Sequence, residues 1–133
     1  MKYTLFILML FGLFSCKKED VESEPIEGLQ VITSLNQINA ELESGVSMVF
    51  FHASWCSVCQ AQRPAVIEVA LDADLSAVFF GEVEYEDHPD IVEAHNIEVF
   101  PTIIIYNDGE EAQRFTGGGN TTADIKSAIQ SVL

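Results

Sequence analysis

Two cysteines separated by two residues, Cys56 and Cys59, are the side chains of this sequence best placed to do chemistry. They follow an apolar run, Val46 to Ala53, and open a stretch whose apolar residues recur at helical spacing. If a helix starts at or near Cys56, Cys59 stands about one turn further on, and the two Cα atoms are roughly 5 to 6 Å apart, inside the range a disulfide tolerates. Such a ring can open and close with little backbone movement. Thiolate, not thiol, is the nucleophile in disulfide exchange, and the free N–H groups and positive dipole end of a helix start favour the anion. Cys56 is therefore expected to attack and Cys59 to resolve the mixed disulfide that results. The other use for such a pair is a metal knuckle, which needs two further ligands. No second Cys-x-x-Cys supplies them, and His52, His88 and His95 are not at ligand spacing, so no metal is expected.

Those thiols need a scaffold, and 133 residues without an internal repeat suffice for one domain with a real core. The 21 acidic residues outnumber the 6 basic ones, for a formal charge of -15, which argues against nucleic acid or an anionic membrane surface as a partner. The start of the chain is different in character. Met1-Lys2 and the apolar run Leu5 to Phe14 read as a secretory signal rather than a membrane span, so the mature protein is expected outside the cytoplasm. Leu13-Phe14-Ser15-Cys16 resembles the lipobox of bacterial lipoproteins, in which the cysteine is acylated and becomes the new N-terminus, although Phe14 is bulkier than the usual residue there. Residues 1–15 are thus expected to be a signal peptide, and Cys16 a lipid anchor in the cell envelope, facing the periplasm or the cell surface. Lipidation of Cys16 leaves Cys56 and Cys59 as the free pair. Residues 16–28 are charged and poor in apolar side chains, the composition of a flexible tether.

Leu29 to Thr33 reads as a first strand, and Ser34 with Gln37 as a capping pattern before a short helix ending at Gly45. Val46 to Ala53 is a strand covered on both faces. From Cys56, the residues Val58, Ala61, Ala65, Val66, Val69, Ala70 and Ala73 predict a helix with a broad apolar face, kinked at Pro64. Ala77 to Tyr85 is a further strand, and His88-Pro89-Asp90 begins a short helix. Ile103 to Tyr106 and Glu110 to Thr116 form a hairpin about Asn107-Asp108-Gly109. Thr121 with Asp124 caps a last helix carrying Ile125, Ala128, Ile129 and Val132. The order β-α-β-α-β-α-β-β-α predicts an α/β fold, a central mixed sheet with helices on both faces.

Phe51-His52-Ala53-Ser54-Trp55-Cys56-Ser57-Val58-Cys59 in this order resembles the active-site segment of the thioredoxin family. Pro64 matches the family's helix-kinking proline, Phe100-Pro101-Thr102 its cis-proline loop, and Asn107-Asp108-Gly109-Glu110 its hairpin turn. The resemblance covers residues 29–133. It implies a thioredoxin fold, disulfide or dithiol proteins as partners, and an apolar rim made by Trp55, Pro101 and the backbone of Phe100, on which an extended partner segment lies. The alternatives are simple packing for Trp55 and an ordinary trans proline ending a loop for Pro101, whereas the resemblance implies the cis isomer.

Two positions depart from the family pattern. Reducing thioredoxins carry a buried aspartate where this chain has Phe50, and Glu82, at the position of a family lysine, reads either as a substitute proton acceptor with a pKa raised by burial or as a solvent-facing acid among Glu84, Glu86 and Asp87. Ser57-Val58 stands in place of Gly-Pro, which implies a less reducing couple. The resulting expectation is an extracytoplasmic thiol-disulfide oxidoreductase, acting as a reductase or isomerase and fed by a membrane electron donor, with no cofactor beyond its own dithiol. A reductase dedicated to cytochrome c maturation and a non-catalytic binding domain with a structural disulfide are the alternatives.

Overall fold

A computed structural model describes residues 27–133. The expected signal peptide, Cys16 and all but the last two residues of the tether lie outside the described residues. Five strands form one sheet: β1 (Gln30–Val31), β2 (Val46–His52), β3 (Phe79–Glu84), β4 (Thr102–Asn107) and β5 (Glu110–Thr116), in the spatial order β1-β3-β2-β4-β5. β1, β3 and β2 run parallel, while β4 is antiparallel to β2 and β5 to β4. Four helices connect them: α1 (Leu35–Leu42), α2 (Ser57–Ala70), α3 (Pro89–Ala94) and α4 (Thr122–Gln130). This is the mixed, two-sided sheet that the sequence predicts.

The alternation of side chains along the strands divides the core in two. Met48, Phe50, Phe80, Ile103 and Ile105 face α2 and α4, meeting Val66, Val69, Ile125 and Ile129. Val49, Phe51, Val83, Ile104 and Tyr106 face α1 and α3, meeting Ile38, Leu42, Ile91 and Val92. Strand β2 sits between both layers, which is why all its residues from Val46 to Phe51 are buried and its sequence is a continuous apolar run.

The helix starts follow from the capping residues. Ser34 accepts a hydrogen bond from the Gln37 backbone N–H at 3.1 Å, and Thr121 with Asp124 forms a reciprocal capping box. At the β4–β5 turn, Asp108 and Gly109 both adopt positive φ, +49° and +82°, the conformation a two-residue hairpin turn of this hand requires.

Three expectations need correction. Strand β1 spans two residues rather than five, because only Gln30 and Val31 find ladder partners on β3. Helix α2 ends at Ala70, so Ala73 lies in a separate short 3-10 turn, Ala73–Leu75. The buried face of α2 consists of Cys59, Gln62, Val66 and Val69, whereas Val58 and Ala61 are exposed. The buried face runs through Cys59, Gln62, Val66 and Val69 at spacings of three and four, which leaves Val58 and Ala61 one position off that face.

Candidate active site

Cys56 and Cys59 are placed by the end of the central strand. β2 stops at His52, a short loop of Ala53, Ser54 and Trp55 follows, and α2 starts at Ser57 with Cys56 as its N-cap. The two sulfurs are bonded, with Cα atoms 5.2 Å apart. Cys56 Sγ occupies the position normally held by a serine or aspartate oxygen: the backbone N–H of Cys59 donates to it at 3.1 Å. A negative sulfur at this place gains both that hydrogen bond and the helix dipole. Cys56 and Cys59 are 6% and 3% exposed, so the pair is approached from one side only.

That side is built by the loop before β4. The Phe100–Pro101 peptide bond is cis, and the Phe100 carbonyl oxygen lies 3.7 Å from Cys56 Sγ. Trp55 is 66% exposed and meets Phe100 edge-on, ring centroids 6.1 Å apart. Tyr85, at the end of β3, packs on the same Phe100 ring at 5.2 Å, and Val99 is exposed beside it. Trp55 and Phe100 thus meet beside the sulfurs while Pro101 is buried, and Tyr85, Val99 and Val58 are further exposed apolar side chains in this region. Nothing in the local pattern singles out these three, because their exposure arises from where β3, α2 and the Pro101 loop come together.

The glycine run completes the surroundings. A Cβ atom at Gly118 would collide with Val58 Cγ1, so the loop between β5 and α4 lies directly on the residue that replaces the family's proline. This loop is fastened from below by Gln62, a residue the sequence reading does not single out. The Gln62 Nε2 donates to the Asn120 carbonyl at 2.8 Å, and its Oε1 accepts from the Asn120 backbone N–H at 3.0 Å. Both functions of a buried amide are thereby satisfied.

Glu82 is buried, and it stands opposite Phe50 in the β2–β3 register, one strand over from the position where the family carries its aspartate. Its carboxylate is not isolated. Arg63, four residues beyond Cys59 on α2, donates to Glu82 Oε2 at 2.5 Å, and His52 Nε2 is 3.1 Å from the same oxygen. The Arg63 guanidinium lies over the Phe50 ring at 5.4 Å, and His52 stacks on that ring at 5.2 Å. Burial pushes the Glu82 pKa up, but the hydrogen bonds from His52 and Arg63 together outweigh it and hold the carboxyl below its ordinary value. The expected raised pKa is thus corrected. Glu82 is ionised at neutral pH and is a poor proton acceptor there, and what it does is anchor Arg63 and His52 behind the helix that carries the dithiol.

Residues 30–131 match the family model described as Thioredoxin. The chain belongs to the thioredoxin family. A thioredoxin of Chlamydia caviae is 34% identical over 86 residues, covering 65% of this chain and 82% of the relative. A thioredoxin of Staphylococcus epidermidis is 29% identical over 82 residues, 62% and 78% of the two chains. Among solved structures, the thioredoxin of Malassezia sympodialis superposes with a TM-score of 0.70 at 22% identity, covering 82% of this chain and 94% of that one. That likeness carries the fold, and the family membership with the bonded Cys56–Cys59 pair carries the chemistry: this thioredoxin-family chain is a protein-disulfide oxidoreductase. Within the family pattern it keeps the cysteine pair, the helix proline and the cis-proline loop, and departs from it at Phe50, Ser57-Val58 and Glu82.

Proposed function

We propose that the protein is a lipid-anchored, extracytoplasmic thiol-disulfide oxidoreductase that works mainly as a reductase or isomerase of partner disulfides. The observation that carries its chemistry is the Cys59 N–H donating to Cys56 Sγ at the helix start. In the dithiol form, the Cys56 thiolate attacks one sulfur of a partner disulfide. That S–S bond breaks, a Cys56–partner S–S bond forms, and the partner's second sulfur leaves with the electron pair and takes up a proton. Cys59, after losing its proton to solvent or base, attacks Cys56 Sγ. The mixed disulfide breaks, the partner leaves as a dithiol, and the Cys56–Cys59 bond closes. Two electrons have passed from this protein to its partner, and a membrane dithiol donor must return them by the reverse exchange.

The partner segment lies extended on Trp55, Phe100 and Pro101, adding main-chain hydrogen bonds in the manner of a short strand. Support for the location comes from the apolar leader and the Leu13-Phe14-Ser15-Cys16 motif. Support for the reducing direction is the compartment itself, since an oxidising space needs a donor-fed protein to keep a dithiol open.

Expressed as the full chain in a bacterium, the protein should sediment with membranes and incorporate labelled palmitate, and Cys16→Ser should abolish both. The reduced protein should cleave insulin disulfides with turnover when a dithiol regenerates it. A chain without palmitate would overturn the lipid anchor, and one whose disulfide resists glutathione and gives no insulin turnover would support the structural-disulfide binding domain instead.

A further inference from the structure

The charges around the dithiol are arranged unevenly. Among the described residues the cations are Arg63, Arg114 and Lys126, and each is held by a carboxylate: Arg63 by Glu82, Arg114 by Glu111 at 2.7 Å and Lys126 by Asp72 at 2.5 Å. None of these pairs stands on the rim. The carboxylates that do stand there have no cation among the described residues. Glu84 and Glu86 flank Tyr85, and Glu86 accepts a hydrogen bond from the Ser54 backbone N–H at 3.2 Å, next to Trp55. Asp87 follows on the same loop, and Glu98 precedes Val99 and Phe100; both are exposed. The apolar contact strip beside the Cys56–Cys59 bond is thus bordered by acidic side chains that no cation among the described residues offsets.

We infer that the partner is a cationic segment, an extended stretch with Lys or Arg beside its reactive cysteine and an apolar side chain that seats on Trp55, Phe100 and Tyr85. The inference rests on the exchange reading given above and adds the chemistry of the substrate to it. The apolar strip sets where the segment lies, and the acidic border selects its charge. Carboxylates next to the partner's cysteine would face Glu86, Asp87 and Glu98 and slow the encounter.

Three disulfide-bonded peptides that differ only in the residues flanking cysteine, Lys, Gln or Glu, test this against the reduced full chain. At low salt the order of second-order rate constants should be Lys, then Gln, then Glu, with about a tenfold span between the ends, shrinking to within about twofold at 0.5 M salt. Asp87→Asn with Glu98→Gln should reduce the low-salt span to about threefold or less. Glu41→Gln with Glu43→Gln, which removes as much charge at the far end of the sheet, should leave it intact. Equal rates for all three peptides, or a span reduced alike by both pairs of substitutions, would overturn the inference while leaving the exchange reading standing. Reaction with none of the peptides would overturn both.

Discussion

Cys59→Ser protein, reduced and mixed with a disulfide-bearing partner, should accumulate covalent complexes that a thiol reductant dissolves, whereas Cys56→Ser protein should form none. The asymmetry follows from position. Cys56 Sγ is the helix N-cap and touches the open rim through the Phe100 carbonyl side, while Cys59 is one turn in and 3% exposed. With Cys56 lost, no activated sulfur faces the partner, and the rate of insulin reduction should fall by about a thousandfold or more, to the level of an ordinary thiol at best. With Cys59 lost, attack proceeds but resolution does not, so turnover stops after the first step. Non-reducing electrophoresis separates the two outcomes. Trapping by both variants, or by neither, contradicts the assigned roles.

Arg63→Met should destabilise the domain by about 2 to 3 kcal/mol, because it leaves the Glu82 carboxylate buried with only His52 beside it. The Arg63 side chain is 29% exposed against 9% for Glu82, so water reaches the arginine end and places the cost toward the low end for broken buried pairs. Glu82→Gln in the Arg63→Met background should recover most of that loss, since the uncompensated charge is then gone. Denaturant midpoints of the two single variants and the double variant read this directly.

The same cluster gives a pH dependence of definite sign. The Glu82 carboxyl has a lower pKa folded than unfolded, so its pairing contributes stability above its ordinary value of 4.5 and loses that contribution as pH falls through the folded value. The stability difference between the native sequence and Glu82→Gln should therefore shrink as pH is lowered below about 5. A difference that grows toward low pH would contradict the ion-paired, ionised Glu82.

Much of this architecture could be read from side-chain periodicity, and the reasons are local. The covered strand β2 declares itself because both of its faces are buried, the Asp108-Gly109 turn because it needs two positive φ angles, and the two capped helix starts because serine and threonine supply oxygens where backbone N–H groups have no partner. The cysteine pair, Trp55 and the Pro101 loop were legible for the same reason, since each lies within a short recognisable segment. What the sequence could not show are the partnerships across the sheet. Gln62 looks like a solvent-facing residue of α2 until Asn120, from a distant loop, is found to take both ends of its amide. Glu82 reads either as a buried proton acceptor or as a solvent-facing acid, and only the approach of Arg63 and His52 shows it to be a buried anion already paired. Val58 reads as part of an apolar stripe. The buried face of α2 passes through Cys59 and Gln62 instead, which leaves Val58 on the surface, against Gly118.

Disulfide exchange by this protein depends on the sulfur at the start of α2 being an anion at neutral pH in the reduced form. The pH profile of iodoacetamide alkylation, followed by mass spectrometry at each cysteine separately, measures this. Cys56 should react with an apparent pKa at least about one unit below the roughly 8.5 of an unstructured thiol, and well ahead of Cys59. A Cys56 profile at or above that of a free thiol would contradict the helix-start mechanism and leave only the thioredoxin fold.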